Sequence, residues 1–304
     1  MPYNANTGYG RGLIDSIREA NTTPTVGKVF IVCPTSHPNY QEISDTIKPD
    51  AEGQPRLFST LAAAATYLVA NRGDIVYVAD GYAETITAAA GTALSIAGVT
   101  YIGTGFGANR PTFTFTTNVA ASLDITAANV TVKNFVFVTG IDNQTAVNNV
   151  TAADVVFDSC EWRFSDGTVG AALCILTAAT ATRLKVVNSR FVGPATNAGT
   201  TLAAAIQHES GTDYVIDNNY FAGKATQMIK NVATVLRGLI RNNTFVVGTG
   251  TVAITMAAAS TPFIVNNRMN VASGTAPVVA AAGFVAGNVY SAAAGVTAGT
   301  ASTF

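Results

Sequence analysis

The residues able to do chemistry are few and scattered. Asp158 and Asp217 are the best carboxylate pair, and Arg241 follows Asp217 at a spacing that recurs elsewhere in the chain. Two carboxylates about 5 to 9.5 Å apart are what glycoside hydrolysis needs, one as acid and one as base or nucleophile. Glu161 and Asp154 fall near Asp158 but lack a repeated partner. His208 and Glu209 stand together in Gln-His-Glu-Ser-Gly, a turn-like stretch that reads as a loop pair rather than a general base. Gly103-Thr-Gly-Phe-Gly107 follows an expected strand with no expected helix after it, which argues against a phosphate cradle. Cys33, Cys160 and Cys174 are too few for a disulfide framework and lack metal-ligand spacing. Cys160 and Cys174 read as small buried fillers.

The elements that must position these residues form a repeat. From Val130 to Tyr290 one pattern recurs: alternating apolar residues, a small polar residue, then a large apolar one three positions later. It reads Val130-Thr-Val-Lys-Asn134-Phe-Val-Phe137, Val155-Val-Phe-Asp-Ser159-Cys-Glu-Trp162 and Leu184-Lys-Val-Val-Asn188-Ser-Arg-Phe191. It continues through Asn218 to Phe221, Asn242 to Phe245 and Asn266 to Met269, and fades at Gly287 to Tyr290. Successive final residues differ by 25, 29, 30, 24, 24 and 21, a period that marks stacked solenoid units. Period-two alternation rich in Val, Ile, Phe and Thr is strand, and Asn, Ser or Gly suits a tight left-handed turn. Second apolar pieces such as Ala172–Leu176, Ala204–Ile206 and Val252–Met256 predict two or three short strands per period, the composition of a parallel β-helix. Successive coils then lie about 4.8 Å apart, so each motif position becomes a column.

Three columns follow. Asn134, Ser159, Asn188, Asn218, Asn242 and Asn266 are expected as a buried amide ladder, with the aromatic column beside it in the core. Asp158, Val187, Asp217, Arg241 and Val265 align on another line. Two coils separate Asp158 from Asp217, roughly 9.6 Å, the wide limit for an inverting pair. Asp217 lies one coil from Arg241 and is expected to pair with it.

Composition sets further bounds. Only 12% of the 304 residues are charged, 48% are hydrophobic and the net charge is −1. Such a surface is flat and poorly charged. It invites protein contact and gives no electrostatic reason to expect nucleic acid or an anionic membrane. No apolar run reaches the roughly 18 residues of a membrane span. The start, Met-Pro-Tyr-Asn-Ala-Asn-Thr-Gly, lacks the features of a secretory signal.

In chain order, residues 1–26 form an arm with too few apolar residues for a core. Residues 27–72 supply a strand (Lys28–Cys33), a polar loop (Pro34–Pro55) and a helix over Leu57–Asn71 that caps the open end of the solenoid. Ser59 or Thr60 caps that helix, and Leu61, Ala64, Ala65 and Leu68 form its apolar face. Residues 73–291 are the β-helix and 292–304 a low-complexity tail.

A helix ending in Asn-Arg-Gly-Asp, the strand Ile75-Val-Tyr-Val, the turn Asp80-Gly-Tyr-Ala-Glu84 and then Val99-Thr-Tyr-Ile-Gly-Thr-Gly105 resemble the first coil of the pectin lyase-like, right-handed parallel β-helix superfamily. The resemblance covers roughly residues 57–291 and is similar in flavour to β-helix proteins of tailed bacteriophages. It implies an all-β, right-handed parallel β-helix with an N-terminal capping helix and extended terminal arms. The superfamily includes lyases, hydrolases, esterases, tailspikes and non-catalytic virion proteins, so fold does not fix function. Gly81-Tyr-Ala-Glu84 is similar to the Gly-x-Tyr-x-Glu of pectin methylesterases, but its Tyr is one place early. The later esterase signatures, the polygalacturonase set and the acidic triads of pectate lyases are not found.

The expectation drawn from this is a structural virion protein of a tailed phage, a capsid decoration or cement protein on the outer surface of the capsid, made in the host cytoplasm. It is expected not to be an enzyme, with no catalytic residue, cofactor or metal. Its partners would be the major capsid protein or other virion proteins, not nucleic acid or membrane, and the resemblance implies a homotrimer. The expected interface anchors are Tyr3, Tyr9, Arg11, Leu13 and Ile14 in the arm and Phe304 in the tail. The alternatives are a tail fibre or tailspike that binds host surface glycan, and a polysaccharide lyase or hydrolase.

Overall fold

The computed structural model describes residues 27–194, 199, 201–248, 252–271, 278–279 and 283–292. The chain is an all-β parallel solenoid of about 10 turns with three sheets and little helix. From Ile75 to Val279 successive coils run through the first, second and third sheets in the same order, as in Val156–Asp158, Glu161–Phe164 and Ala171–Thr177. All strand pairs between these coils are parallel, and Val156 aligns with Thr131 before it and Lys185 after it. Among the described residues the first sheet has 12 strands, the second nine and the third eight.

Two turns per coil carry the backbone reversal. Between the first and second sheets one residue sits in the left-handed region: Asn134, Ser159, Asn188, Asn218, Asn242 and Asn266, all with φ between 54° and 63°. Asn tolerates that region better than other side chains because its short amide can bond locally. Before the first-sheet strand a second column does the same, through Asn129, Asp154, Arg183, Asp213 and Arg237.

The core is the interior of the coil. Phe137 and Trp162 stack at 5.2 Å, and Trp162, Phe191, Phe221 and Phe245 continue at 4.4, 4.7 and 4.8 Å with nearly parallel rings. These spacings match the strand separation, so each of these coils places one ring in the column. Trp162 satisfies its indole N–H on Asn148 at 2.7 Å.

The buried polar ladder runs one residue later than the spacing predicts. Asn188, Asn218, Asn242 and Asn266 are exposed, and the ladder is built by Ser189, Asn219, Asn243, Asn267 and Asn288. Asn219 donates from Nδ2 to Oδ1 of Asn243 at 3.0 Å, and Asn243 does the same to Asn267 at 3.0 Å. Each Nδ2 also reaches a backbone carbonyl, Val186 for Asn219 and Ile216 for Asn243. The first Asn is consumed by the left-handed turn, which points its side chain outward. Asn218 there donates to Asn188 at 2.8 Å, forming a shorter outer row.

The N-terminal end differs from expectation in its helices. Leu57–Phe58 is an edge strand paired with Ile31 and Val32, and the capping helix α2 spans only Leu61–Ala65. Thr60 caps it by accepting from the N–H of Ala63 at 3.1 Å. Leu61, Ala64 and Leu68 are buried in the main core with Phe30 and Phe58, whereas Ala65 is only partly buried. The loop after Cys33 contains a further helix, α1 (Tyr40–Thr46), whose Ile43 packs with Ile31, Ile47 and Ala79 on the outside of the first sheet.

Candidate functional site

The register puts Asp158, Val187, Asp217, Arg241 and Val265 on one outward line of the first sheet, as their spacing predicts. Val187 separates the two carboxylates, and each is engaged elsewhere. Asp158 meets Lys133 at 2.9 Å and accepts from Asn188 and Ser159. Burial works to raise its carboxyl, and those three hydrogen bonds outweigh burial and hold it below the usual range. Asp217 accepts from Arg241 at 2.8 Å and from Asn242 at 2.9 Å. The line is therefore a row of ion pairs and amide bonds.

Asp154 has a repeated partner, contrary to the sequence expectation, whereas the hydrogen-bond partner of Glu161 lies outside the repeat. Asp154 receives both forks of Arg183, one coil on, and Asp213 receives both forks of Arg237. Arg237 pulls the Asp213 carboxyl down to about 2. The 29 residues between Asp154 and Arg183 are one repeat period, so this ladder was readable from spacing. Glu161 lies on the second sheet and is almost buried; Arg110 donates to it from 51 residues away. Arg163 and Arg190 approach the same carboxylate at 3.9 and 3.8 Å, and both remain largely exposed.

His208 is not in a loop. It ends the third-sheet strand Leu202–His208 with its ring buried, stacked on Tyr214 at 4.4 Å and 3.3 Å from the Thr177 hydroxyl. Its Nε2 has no protein partner, and burial lowers its pKa to about 4. Glu209 bonds Gln207 at 2.7 Å. In the first coil, Tyr82 donates to Glu84 at 2.6 Å, and Thr92 donates to the same carboxylate. These residues tie together the turn that follows Ile75–Val78.

Cys33, His37 and Asp80 lie near one another, with His37 Nε2 3.5 Å from Asp80. Burial, with Asp80 adding to it, pushes the Cys33 thiol up to about 12, which suppresses the thiolate that a nucleophile needs. Cys160 and Cys174 are buried free thiols pushed up to about 12 by burial, as fillers should be. A recess of about 260 Å³ opens beside α2, lined by Lys28, Phe30, Gln54, Thr66, Tyr67 and Arg72. Its cations are engaged, Lys28 with Asp50 at 2.7 Å and Arg72 with Asp74 at 2.6 Å. Among the described residues no group of three or more His, Cys, Asp or Glu could hold a metal ion, and no helix is long and apolar enough to cross a membrane. Tyr3, Tyr9, Arg11, Leu13, Ile14 and Phe304 lie outside the described residues.

No family model matches the chain, and neither does any curated protein. Among solved structures, a rhamnogalacturonan lyase aligns over 81% of this chain and 67% of its own, at 15% identity and a TM-score of 0.51. A structure titled Geobacillus virus E2 ORF18 aligns over 95% of this chain and 66% of its own, at 11% identity and a TM-score of 0.27. The first likeness is one of fold, and it shows the parallel β-helix; the second is too loose to bear on function.

Proposed function

We propose that this chain is a non-catalytic structural protein of a tailed-phage particle, and that it decorates and cements the assembled shell. One observation carries the reading. The carboxylates that the coil register brings closest to a catalytic pair, Asp158 and Asp217, are each held by a cation one coil away. A general acid needs a raised pKa and a free approach to substrate. The Asp158 carboxyl instead sits below the usual range within a surface ion-pair row. The three thiols are buried as well.

The mechanical role follows from the architecture. A solenoid with an aromatic column and an amide ladder is stiff along its axis, and three such units side by side offer long flat faces. A protein that binds only the assembled lattice stabilises it by mass action. In this reading Tyr3, Tyr9, Leu13 and Ile14 anchor in pockets of the capsid subunit, since buried aromatic anchors carry most of an interface's energy. Removal of residues 1–20 tests this. The truncated protein should keep its melting temperature, and its co-sedimentation with particles that lack the natural copy should fall sharply. Undiminished decoration by the truncated protein would remove the arm as anchor.

The rival reading is a polysaccharide lyase or hydrolase, favoured by the shared fold alone. Depolymerisation of a bacterial surface glycan by the purified protein, lost in Asp217→Asn, would establish it in place of the structural role.

A further inference from the structure

A net charge of −1 conceals an uneven distribution. Along the first sheet and its turns, four cations sit in ion pairs one coil from their carboxylates: Lys133 with Asp158, Arg183 with Asp154, Arg237 with Asp213, Arg241 with Asp217. The second sheet is different. Its strands present Arg163, Arg190 and Arg268 outward, all exposed, and the carboxylate beside the first two is Glu161. Arg110 has already taken that carboxylate in a hydrogen bond. Arg163 and Arg190 stand 3.9 and 3.8 Å from it, beyond hydrogen-bond reach. Both guanidinium groups are largely exposed, and the carboxylate in their range is one they share with Arg110. The register fixes their order: Glu161 aligns with Arg190, Arg190 with Tyr220, Tyr220 with Thr244 and Thr244 with Arg268. Three coil steps put Arg268 roughly 14 Å from Arg190.

We infer that this face is a docking surface for an acidic segment of a partner protein, whose carboxylates pair with Arg163 and Arg190. The inference rests on the structural reading of the chain and names the chemistry by which it would hold its neighbour. A guanidinium fork can match a carboxylate two bonds at a time, as Arg183 does on Asp154 elsewhere in this chain, and Arg110 already holds Glu161 at this spot by a single bond. An extended partner strand places every second side chain on one side, about 6.6–6.8 Å apart, so two such steps cover the span from Arg190 to Arg268. A glycan fits less well. Sugar rings stack on open aromatic faces, and the Tyr220 ring is overlaid by the Arg190 guanidinium at 5.7 Å. Duplex nucleic acid would bring one charge per roughly 1.7 Å against three separated cations.

The test uses the full chain and three labelled probes at low ionic strength: a peptide of alternating Glu and Thr, heparin, and a thymidine oligonucleotide. Binding is read by anisotropy, and the site by the Nε–H resonances of Arg163 and Arg190. The peptide should bind with a salt-sensitive affinity and shift both resonances. Arg163→Gln with Arg190→Gln should weaken it at least about tenfold, while Arg241→Gln, which alters a paired arginine on the first sheet, should not. Absence of peptide binding, unchanged binding by the double variant, or tighter binding of heparin or oligonucleotide would each overturn the inference. None of these results depends on particles, so failure here is separable from failure of the cement role, which the truncated arm tests.

Discussion

At the scale of single residues, the Asn-Asn pairs show how one turn divides labour between identical side chains. Asn242 supplies the left-handed backbone and points outward; Asn243 points inward and joins four hydrogen bonds of the ladder. Asn243→Leu should therefore destabilise the protein by about 1–3 kcal/mol, because the Ile216 carbonyl and the Asn219 N–H lose their buried partner. Asn242→Gly should cost a few tenths at most, since glycine accepts the same φ. Urea unfolding of the two variants makes the comparison. The ladder's position was legible and was missed: Asn243 lies two residues before the inward Phe245, which puts both on one face of a strand. The left-handed residue uses up a position without alternating sides, so counting from the preceding strand gives the wrong parity. Glu161 and Arg110 were not legible at all, because Arg110 sits after the one-turn Gly107–Asn109 segment, outside the repeat.

His208 makes a second residue-scale prediction. Its neighbours are the Thr177 hydroxyl, the Tyr214 ring and, one coil on, Asn231; Tyr214 is the titratable group against it, pushed up to about 12 by burial. The folded pKa of about 4 lies below the ordinary 6.5, so the unfolded chain binds the proton more readily. The contribution of the neutral ring to stability is complete above pH 6.5 and is lost as pH falls toward 4, a change of about 3 kcal/mol. Denaturation midpoints measured across that window should fall with acid in the natural protein and flatten in His208→Leu.

At the scale of elements, the N-terminal cap is the feature that sequence reasoning placed correctly and measured wrongly. The apolar spacing of Leu61, Ala64 and Leu68 marks the buried face, and all three are buried. The helix is short because Leu57 and Phe58 are taken by strand pairing with Ile31 and Val32, a tertiary demand that local propensity does not reveal. The second apolar pieces pointed to two or three strands per coil, of which the structure has three, and α1 was hidden in a polar loop whose buried apolar residues include Ile43 and Ile47. If α2 seals the open end of the core, Leu61→Ala should cost about 2–5 kcal/mol and Thr60→Ala about 1 kcal/mol. Thermal melts of both variants check this, and equal effects would mean that the helix is ornamental to the core.

At the scale of the whole molecule, the repeat ties every property together. Stacked rings, ladder amides and two columns of left-handed turns recur with the coil, and the same register sets Lys133 against Asp158 and Arg241 against Asp217. Those features motivate a mechanical role, in which three copies pack side by side and arms reach the shell. The central claim is therefore about place. Electron cryo-microscopy of phage particles that carry this chain tests it most directly. The cement reading predicts density for the solenoid on the outer surface of the head, in groups of three repeated over the capsid lattice. Density confined to the tail tip, or particles that contain no copy of the chain, would contradict it.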